Sequence, residues 1–296
     1  MTSRAELSQS ELEHLVADIL AEARRLGASQ AEAGVNIESG LTVTVRMGDV
    51  ETLEYQRDRG LGVTVYMGKR KGNASTADLS PQAMRETVAA ACNIARHTAE
   101  DEFTGLADAE LMAEHVPDLD LCHPWDLTAE AAIDIAKTCE DAARNYDARI
   151  ENSDASTVTS HRGLRVYGNS HGFVGGYEHT GHSISCSVVG REGGSLQRDY
   201  WYTAARAPVD LDEPVNVGRL AGERTVNRLN SRQLKTCKAP VLYAPEVAKG
   251  IIGHFLGAVR GGSQYRKTSF LLQAAGTTVF PDFVLKIGRA SCRERV

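Results

Sequence analysis

A zinc hydrolase helix carries two histidines about one turn apart, so that both imidazoles leave one face and meet one metal. In this chain of 296 residues, the segment Pro245 to Leu272, PEVAKGIIGHFLGAVRGGSQYRKTSFLL, has the look of such a helix without its ligand pair. It offers one histidine, His254, and no histidine or carboxylate stands four residues to either side. Read as a helix from Glu246, it sets Val247, Ile251, Phe255 and Val259 on one stripe and stops at Gly261 and Gly262.

The densest histidine grouping is His161, His171, His179 and His182. His179 and His182 are three apart, so on one strand they point to opposite faces, and strand-surface histidines are favoured over a metal set. Asn169-Ser170-His171-Gly172 reads as a turn. Ser170 and His171 with a distant aspartate would suggest a hydrolytic triad, but no G-x-S-x-G elbow is present. The glycines at 60–62, 172–176 and 261–262 do not form a dinucleotide fingerprint or a P-loop. Arg198, Asp199, Tyr200 and Tyr202 fall on one strand, where an internal salt bridge or an edge pair for Asp199 is the favoured reading.

Positioning these residues requires a scaffold, and the pattern of apolar residues supplies one. Leu12, Leu15, Val16, Ile19, Ala23 and Leu26 predict a helix from about Ser10 to Leu26, closed by Gly27. Strands are predicted over Leu41 to Met47, Val50 to Gln56 and Leu61 to Met67, as an antiparallel meander with one covered face. Ser80 and Pro81 open a helix through His97, and Thr128 opens another to about Tyr146. Between them the segment Thr98 to Thr128 is aperiodic and makes the first domain boundary. Further strands are predicted at 157–161, 164–167, 173–179, 184–189 and 198–204, a helix at 215–229, and a strand at 239–244 ahead of the opening segment. No solenoid repeat is visible.

Composition narrows the function. The 42% hydrophobic and 24% charged fractions are those of a soluble globular protein, and the length suits two or three domains. A net charge of −6 argues against a nucleic-acid binder, and no apolar run approaches a membrane span or a signal peptide, so no membrane partner and a cytoplasmic location are expected. Cys92, Cys122, Cys139, Cys186 and Cys237 are dispersed and read as reduced thiols. Ile287 to Val296, IGRASCRERV, reads as a sequencing adapter translated in frame, so Cys292 is set aside and the natural chain is expected to continue past Lys286.

Five segments carry a family resemblance: RKGNASTADLSPQAM (Arg70 to Met84), PDLDLCHP (Pro117 to Pro124), YGNSHGFVGGY (Tyr167 to Tyr177), LQRDYWYT (Leu196 to Thr203) and GGSQYRKTSFLL (Gly261 to Leu272). Together they resemble the TldD/PmbA metalloprotease family, on its PmbA (TldE) side. In the family's catalytic subunit an H-E-x-x-x-H helix is followed by an R-K pair. Alignment on Arg266 and Lys267 puts the two histidine ligands at Gly253 and Ala258 and the glutamate at His254. The resemblance therefore implies a degenerate metal helix without metal or catalytic residues in this chain, with zinc in a TldD-like partner. It also implies a cytoplasmic heterodimer acting on unfolded peptides, including modified-peptide precursors and antitoxins, in which Tyr265, Arg266 and Lys267 border the interface or peptide channel. Two alternatives stand beside it: a peptidase active by itself through His254, and a binding or regulatory module of the gyrase-modulator kind. The expected fold is α+β, with an N-terminal antiparallel sheet and packed helices (1–115), a middle strand-rich α+β domain (116–235) and the start of a β-rich C-terminal domain (236–286).

Overall fold

The computed structural model describes residues 7–281, so the adapter-like segment 287–296 lies outside the described residues. The chain divides into two compact units, Met1–Ser231 and Arg232–Val296. In the first, α1 (Gln9–Arg25) begins with a capping box: Ser8 Oγ accepts from Glu11 N while the Glu11 carboxylate accepts from Ser8 N at 2.7 Å. It is followed by β1 (Gln30–Arg46), β2 (Asp49–Met67), β3 (Arg70–Thr76) and α2 (Pro81–His97). After the long connection come α3 (Ala129–Arg144), β4 (Ile150–Asn169), β5 (Val174–Glu192), β6 (Ser195–Ala205) and α4 (Pro214–Asn227). Ser80 and Thr128 cap α2 and α3 through their side chains, as their positions predict.

All six strands form one antiparallel sheet in the order β3-β2-β1-β4-β5-β6. The fold is thus the α+β class expected, but several strands are longer than the sequence suggests. Val50 to Gln56 and Leu61 to Met67 are one strand, because the charged run Arg57-Asp58-Arg59 stays in the ladder opposite Ser39, Glu38 and Ile37. Likewise, the five segments predicted over 157–204 are three strands; Gly163 and Gly181 interrupt the apolar pattern without interrupting the pairing. The pairing of β1 with β4 carries this sheet across the segments 1–115 and 116–235.

Two cores lie under that sheet. Alternate residues Ala31, Ala33 and Val35 of β1 pack with α1, α2 and Val166. Leu41, Val43 and Val45, further along the same face, pack with α3, α4, Val158 and Ile184. Val35 pairs with Val166 and Val43 with Val158, so all four helices cover one face of the sheet. The opposite face is polar.

The string helix, three strands, helix occurs twice, and the two copies meet at the β1–β4 pair about a pseudo-twofold axis. Buried Leu12, Val16, Ile19 and Ala23 of α1 recur at identical spacing as Ala132, Ala136, Cys139 and Ala143 of α3. On α2 and α4 the positions Thr87, Val88, Ala91, Cys92 and Ala95 recur as Val217, Gly218, Ala221, Gly222 and Thr225. The smaller residues of the second pair let its helices approach closely: a Cβ on Gly218 would run into the Cys139 carbonyl. In the first copy Gly72 of β3 has the same role, lying directly against the Ala91 carbonyl and Ala95 N of α2.

In the second unit, α5 (Pro245–Val259) and α6 (Gly261–Tyr265) are the helices of the described residues. The strand predicted at 239–244 is not formed. Val241 and Leu242 are 69% and 97% exposed, and extended backbone becomes a strand only when a neighbour closes its ladder.

Candidate functional site

Gly253, His254 and Ala258, which the resemblance sets against the positions of a metal helix, lie on α5. Pro245 occupies its first turn, and apolar residues surround the helix, with Val247, Ile251, Ile252, Leu256 and Val259 all exposed in this unit. Gly253 faces open space, since a Cβ there would meet nothing within 4 Å. His254 is exposed and Ala258 is buried. Of the three, His254 alone carries a donor atom, so the residues present do not fit a zinc ion. Among the described residues no group of three His, Cys, Asp or Glu is arranged to hold a metal.

The second motif follows the helix. Gln264 Nε2 donates to the Ala258 carbonyl at 2.7 Å and to the Leu271 carbonyl at 3.3 Å, which ties the end of α5 to the segment after α6. Lys267 takes a left-handed backbone at φ 56°, and its N–H donates to Gln264 O. The result is a turn that displays Tyr265, Arg266 and Lys267 together, all exposed. Two cations beside a phenol form a surface suited to carbonyl and carboxylate groups.

A second polar surface, on the face of the sheet away from the helices, was not singled out by the sequence. Glu32 of β1 accepts from Tyr66 Oη at 3.1 Å and from Tyr167 Oη at 2.9 Å. Burial, reinforced by Glu32, pushes the Tyr66 phenol up to about 12, and the same causes raise Tyr167. Both hydroxyls therefore remain protonated donors near neutral pH. Tyr167 and Glu32 border a groove of about 590 Å³ that runs over Gly34 and Gly62 past Asn36, Glu38, Arg165 and His179.

His161 and His179 form the ridge beside that groove. Each lies across a glycine of the neighbouring strand: a Cβ on Gly181 would run into the His161 ring and one on Gly163 into the His179 ring. Their ring centroids are 6.4 Å apart, and His179 Nε2 lies 3.4 Å from Glu38 Oε1. Burial is the main cause lowering the His161 pKa. The other two histidines are elsewhere. His182 is buried on the helix-bearing face, bridging Ser160 Oγ (3.0 Å) and the His123 carbonyl (2.9 Å), which anchors the connection before α3. His171 sits in the predicted turn, where its N–H donates to Asn169 Oδ1 at 3.0 Å. Ser170 Oγ accepts from Ala31 N at 3.0 Å, so this serine serves the backbone of β1.

Asp199 is buried and faces Arg228 at 3.3 Å and Arg224 at 3.6 Å, the internal ion pairing expected of it. The signal for the polar face was present in the sequence as glycines alternating with Asn, Glu, Arg and His. Its assembly from β1, β2, β4 and β5 depends on the register, which the sequence does not display.

Comparison with known proteins covers most of the chain. Residues 31–95 match the family model for PmbA/TldA metallopeptidase domain 1, 122–229 that for the central domain and 236–287 that for the C-terminal domain. Metalloprotease PmbA of Escherichia coli O157:H7 is 48% identical over 254 residues, covering 86% of this chain and 56% of its own length. A Metalloprotease PmbA homolog of Haemophilus influenzae is 44% identical over 282 residues, covering 95% of this chain and 62% of its own. The chain spans little more than half the length of these relatives. In fold it is similar to a Bacteroides thetaiotaomicron protein described as a modulator of DNA gyrase, with TM-score 0.80 and 24% identity over 90% of this chain and 61% of the other. TldE from Thermococcus kodakarensis follows at TM-score 0.69 and 17% identity, over 88% of this chain and 58% of the other. With all three domain matches and these relatives in place, the chain belongs to the PmbA/TldD metallopeptidase family, on its PmbA/TldE side.

Proposed function

We propose that this protein is the non-catalytic subunit of a two-chain zinc metalloprotease, working beside a TldD-like subunit that holds the metal. One observation carries the reading: α5 presents Gly253, His254 and Ala258 where a metal helix needs two ligands and a general base. A zinc-bound nucleophile requires donors to hold the ion and a base to take a proton from its water, and glycine and alanine supply neither. The role left to this chain is to bind and enclose. The turn at Tyr265, Arg266 and Lys267 would border the interface or the peptide channel, meeting carbonyls and carboxylates of an extended, unfolded peptide. Backbone-directed contacts of that kind suit substrates of varied sequence, such as modified-peptide precursors and antitoxins. The expected compartment is the cytoplasm; no helix among the described residues is long and apolar enough to cross a membrane.

The test is reconstitution. The protein alone should bind no stoichiometric zinc and cleave no unfolded peptide, and addition of a TldD-like subunit should restore both. A peptidase acting through His254 would show turnover by the isolated protein that His254→Ala abolishes. The description of one structural relative as a gyrase modulator motivates a second reading, a regulatory binding module. Recovery of gyrase without a catalytic subunit in a pull-down would favour that reading.

A further inference from the structure

Most glycines within the strands are accounted for by the chain itself. A Cβ on Gly163 or Gly181 would run into a histidine ring, and one on Gly72 into α2. Gly34 and Gly62 are different. They pair with each other across β1 and β2 and stand between buried neighbours, Ala33 and Val35 on one strand and Leu61 and Val63 on the other, so both open onto the polar face. A Cβ on Gly62 would meet nothing within 4 Å, and one on Gly34 would make only an ordinary contact with the Val166 carbonyl, at 3.7 Å. Neither takes a left-handed backbone. A glycine weakens a strand, and one that its own chain does not need marks a place where something else approaches closely.

These two glycines floor the groove of about 590 Å³ whose lining includes Glu32, Asn36, Glu38 and Arg165. Toward one end the Glu32 carboxylate is held by the Tyr66 and Tyr167 hydroxyls, one on each oxygen, at 3.1 and 2.9 Å. Each oxygen keeps a second acceptor site, and no cation of the described residues pairs with this carboxylate. Toward the other end Asn36 and Arg165 are partners across β1 and β4, and both are exposed. Four residues at about 3.3 Å each put about 13 Å between Glu32 and Asn36 along β1. The groove thus offers an acceptor at one end and amide and guanidinium donors at the other, over a floor without side chains. Its two carboxylates, Glu32 and Glu38, outnumber the Arg165 guanidinium, so a cation is favoured at the Glu32 end. An ammonium group on an extended peptide meets all of these features: its nitrogen at Glu32, its backbone over the glycines, and carbonyls further along at Asn36 and Arg165.

We propose that the groove over Gly34 and Gly62 binds an ammonium group of an extended peptide, with Glu32 receiving the nitrogen. The choice of a peptide as ligand rests on the peptide-handling role proposed above. Binding is measured with the full chain alone, so its failure is distinct from a failed reconstitution with a TldD-like subunit. The probe is an unstructured peptide with a free amino terminus and one internal lysine, compared by calorimetry with its N-acetylated form and with its lysine-to-norleucine form. Saturable binding is expected, and blocking the nitrogen that binds should weaken it about tenfold or more, the worth of one hydrogen bond between charged groups. Weakening on acetylation assigns the groove to an α-ammonium, and weakening on norleucine replacement assigns it to a lysine side chain. Glu32→Gln should weaken binding to a similar extent. Gly34→Ala with Gly62→Ala should abolish it while the thermal midpoint stays level or rises, because both methyl groups fit the folded chain. Absence of saturable binding, equal binding of both blocked peptides, or full binding by Glu32→Gln or by the double-alanine protein overturns the proposal. So does a double-alanine protein less stable than the parent, since the chain itself would then require those glycines.

Discussion

Glu140 is fully buried on α3, and its carboxylate closes the β1–β2 hairpin. Oε1 accepts from Met47 N at 2.8 Å and Oε2 from Gly48 N at 2.7 Å. Both turn residues have left-handed backbones, with φ 54° at Met47 and 84° at Gly48. Such a turn suits the twist of a two-residue hairpin, but a non-glycine residue in that region costs about 1–2 kcal/mol. The carboxylate grip offsets that cost. Glu140→Gln keeps the shape and has one acceptor oxygen, so its NH2 group must face one of the two amides. One hydrogen bond to a charged acceptor is lost, at about 1.5–3 kcal/mol, and the remaining polar groups are left poorly paired. Relief from burying a charge works in the opposite direction. Because Met47 is 42% exposed, water can reach part of the turn, and the expected net loss is about 2–3 kcal/mol. Urea unfolding should show a lower midpoint with an unchanged slope. Stability within about 0.5 kcal/mol of the parent, inside the range typical of neutral surface changes, would refute this account of the hairpin.

Three further outcomes follow from packing and charge. Gly72→Ala should destabilise by about 2 kcal/mol or more, since the added methyl meets backbone atoms of α2; thermal unfolding at or above the parent midpoint would contradict this. Arg149 lowers the Asp147 pKa from 3.8 to about 2, so the ion pair's contribution is present above 3.8 and is lost as pH falls through about 2. Asp147→Asn should flatten the acid-unfolding curve across that window, and an unchanged curve would count against the pair. Burial lowers the His161 pKa from 6.5, so the unfolded chain takes its proton first and stability falls as pH drops below 6.5. His161→Asn should remove that part of the acid sensitivity, and a His161 NMR titration midpoint above 6.5 would oppose the reasoning.

Helices were the most legible part of the sequence. Ser80-Pro81 and Thr128 mark the starts of α2 and α3 through local hydrogen bonds that need no distant partner. Strand lengths were less legible, because Arg57 to Arg59 and Gly163 remain in their ladders only through neighbours far away in the chain. The same reason explains the failed strand at 239–244 and the unnoticed polar face, where Glu32, Tyr66 and Tyr167 converge from three strands. The internal repeat was hidden for a different reason. Burial at equivalent positions of the helices is preserved while identity changes, as from Leu12 to Ala132 and from Val88 to Gly218. On α5 the helix read from Glu246 was legible in its apolar stripe, and it ends at Val259, just before Gly261 and Gly262.

The most direct measurement is zinc content and peptide hydrolysis of the full-length purified protein, alone and mixed with a TldD-like subunit. A non-catalytic subunit predicts no stoichiometric zinc and no turnover alone, with both appearing in the mixture at a one-to-one ratio. One zinc per chain together with hydrolysis by the isolated protein would contradict the account.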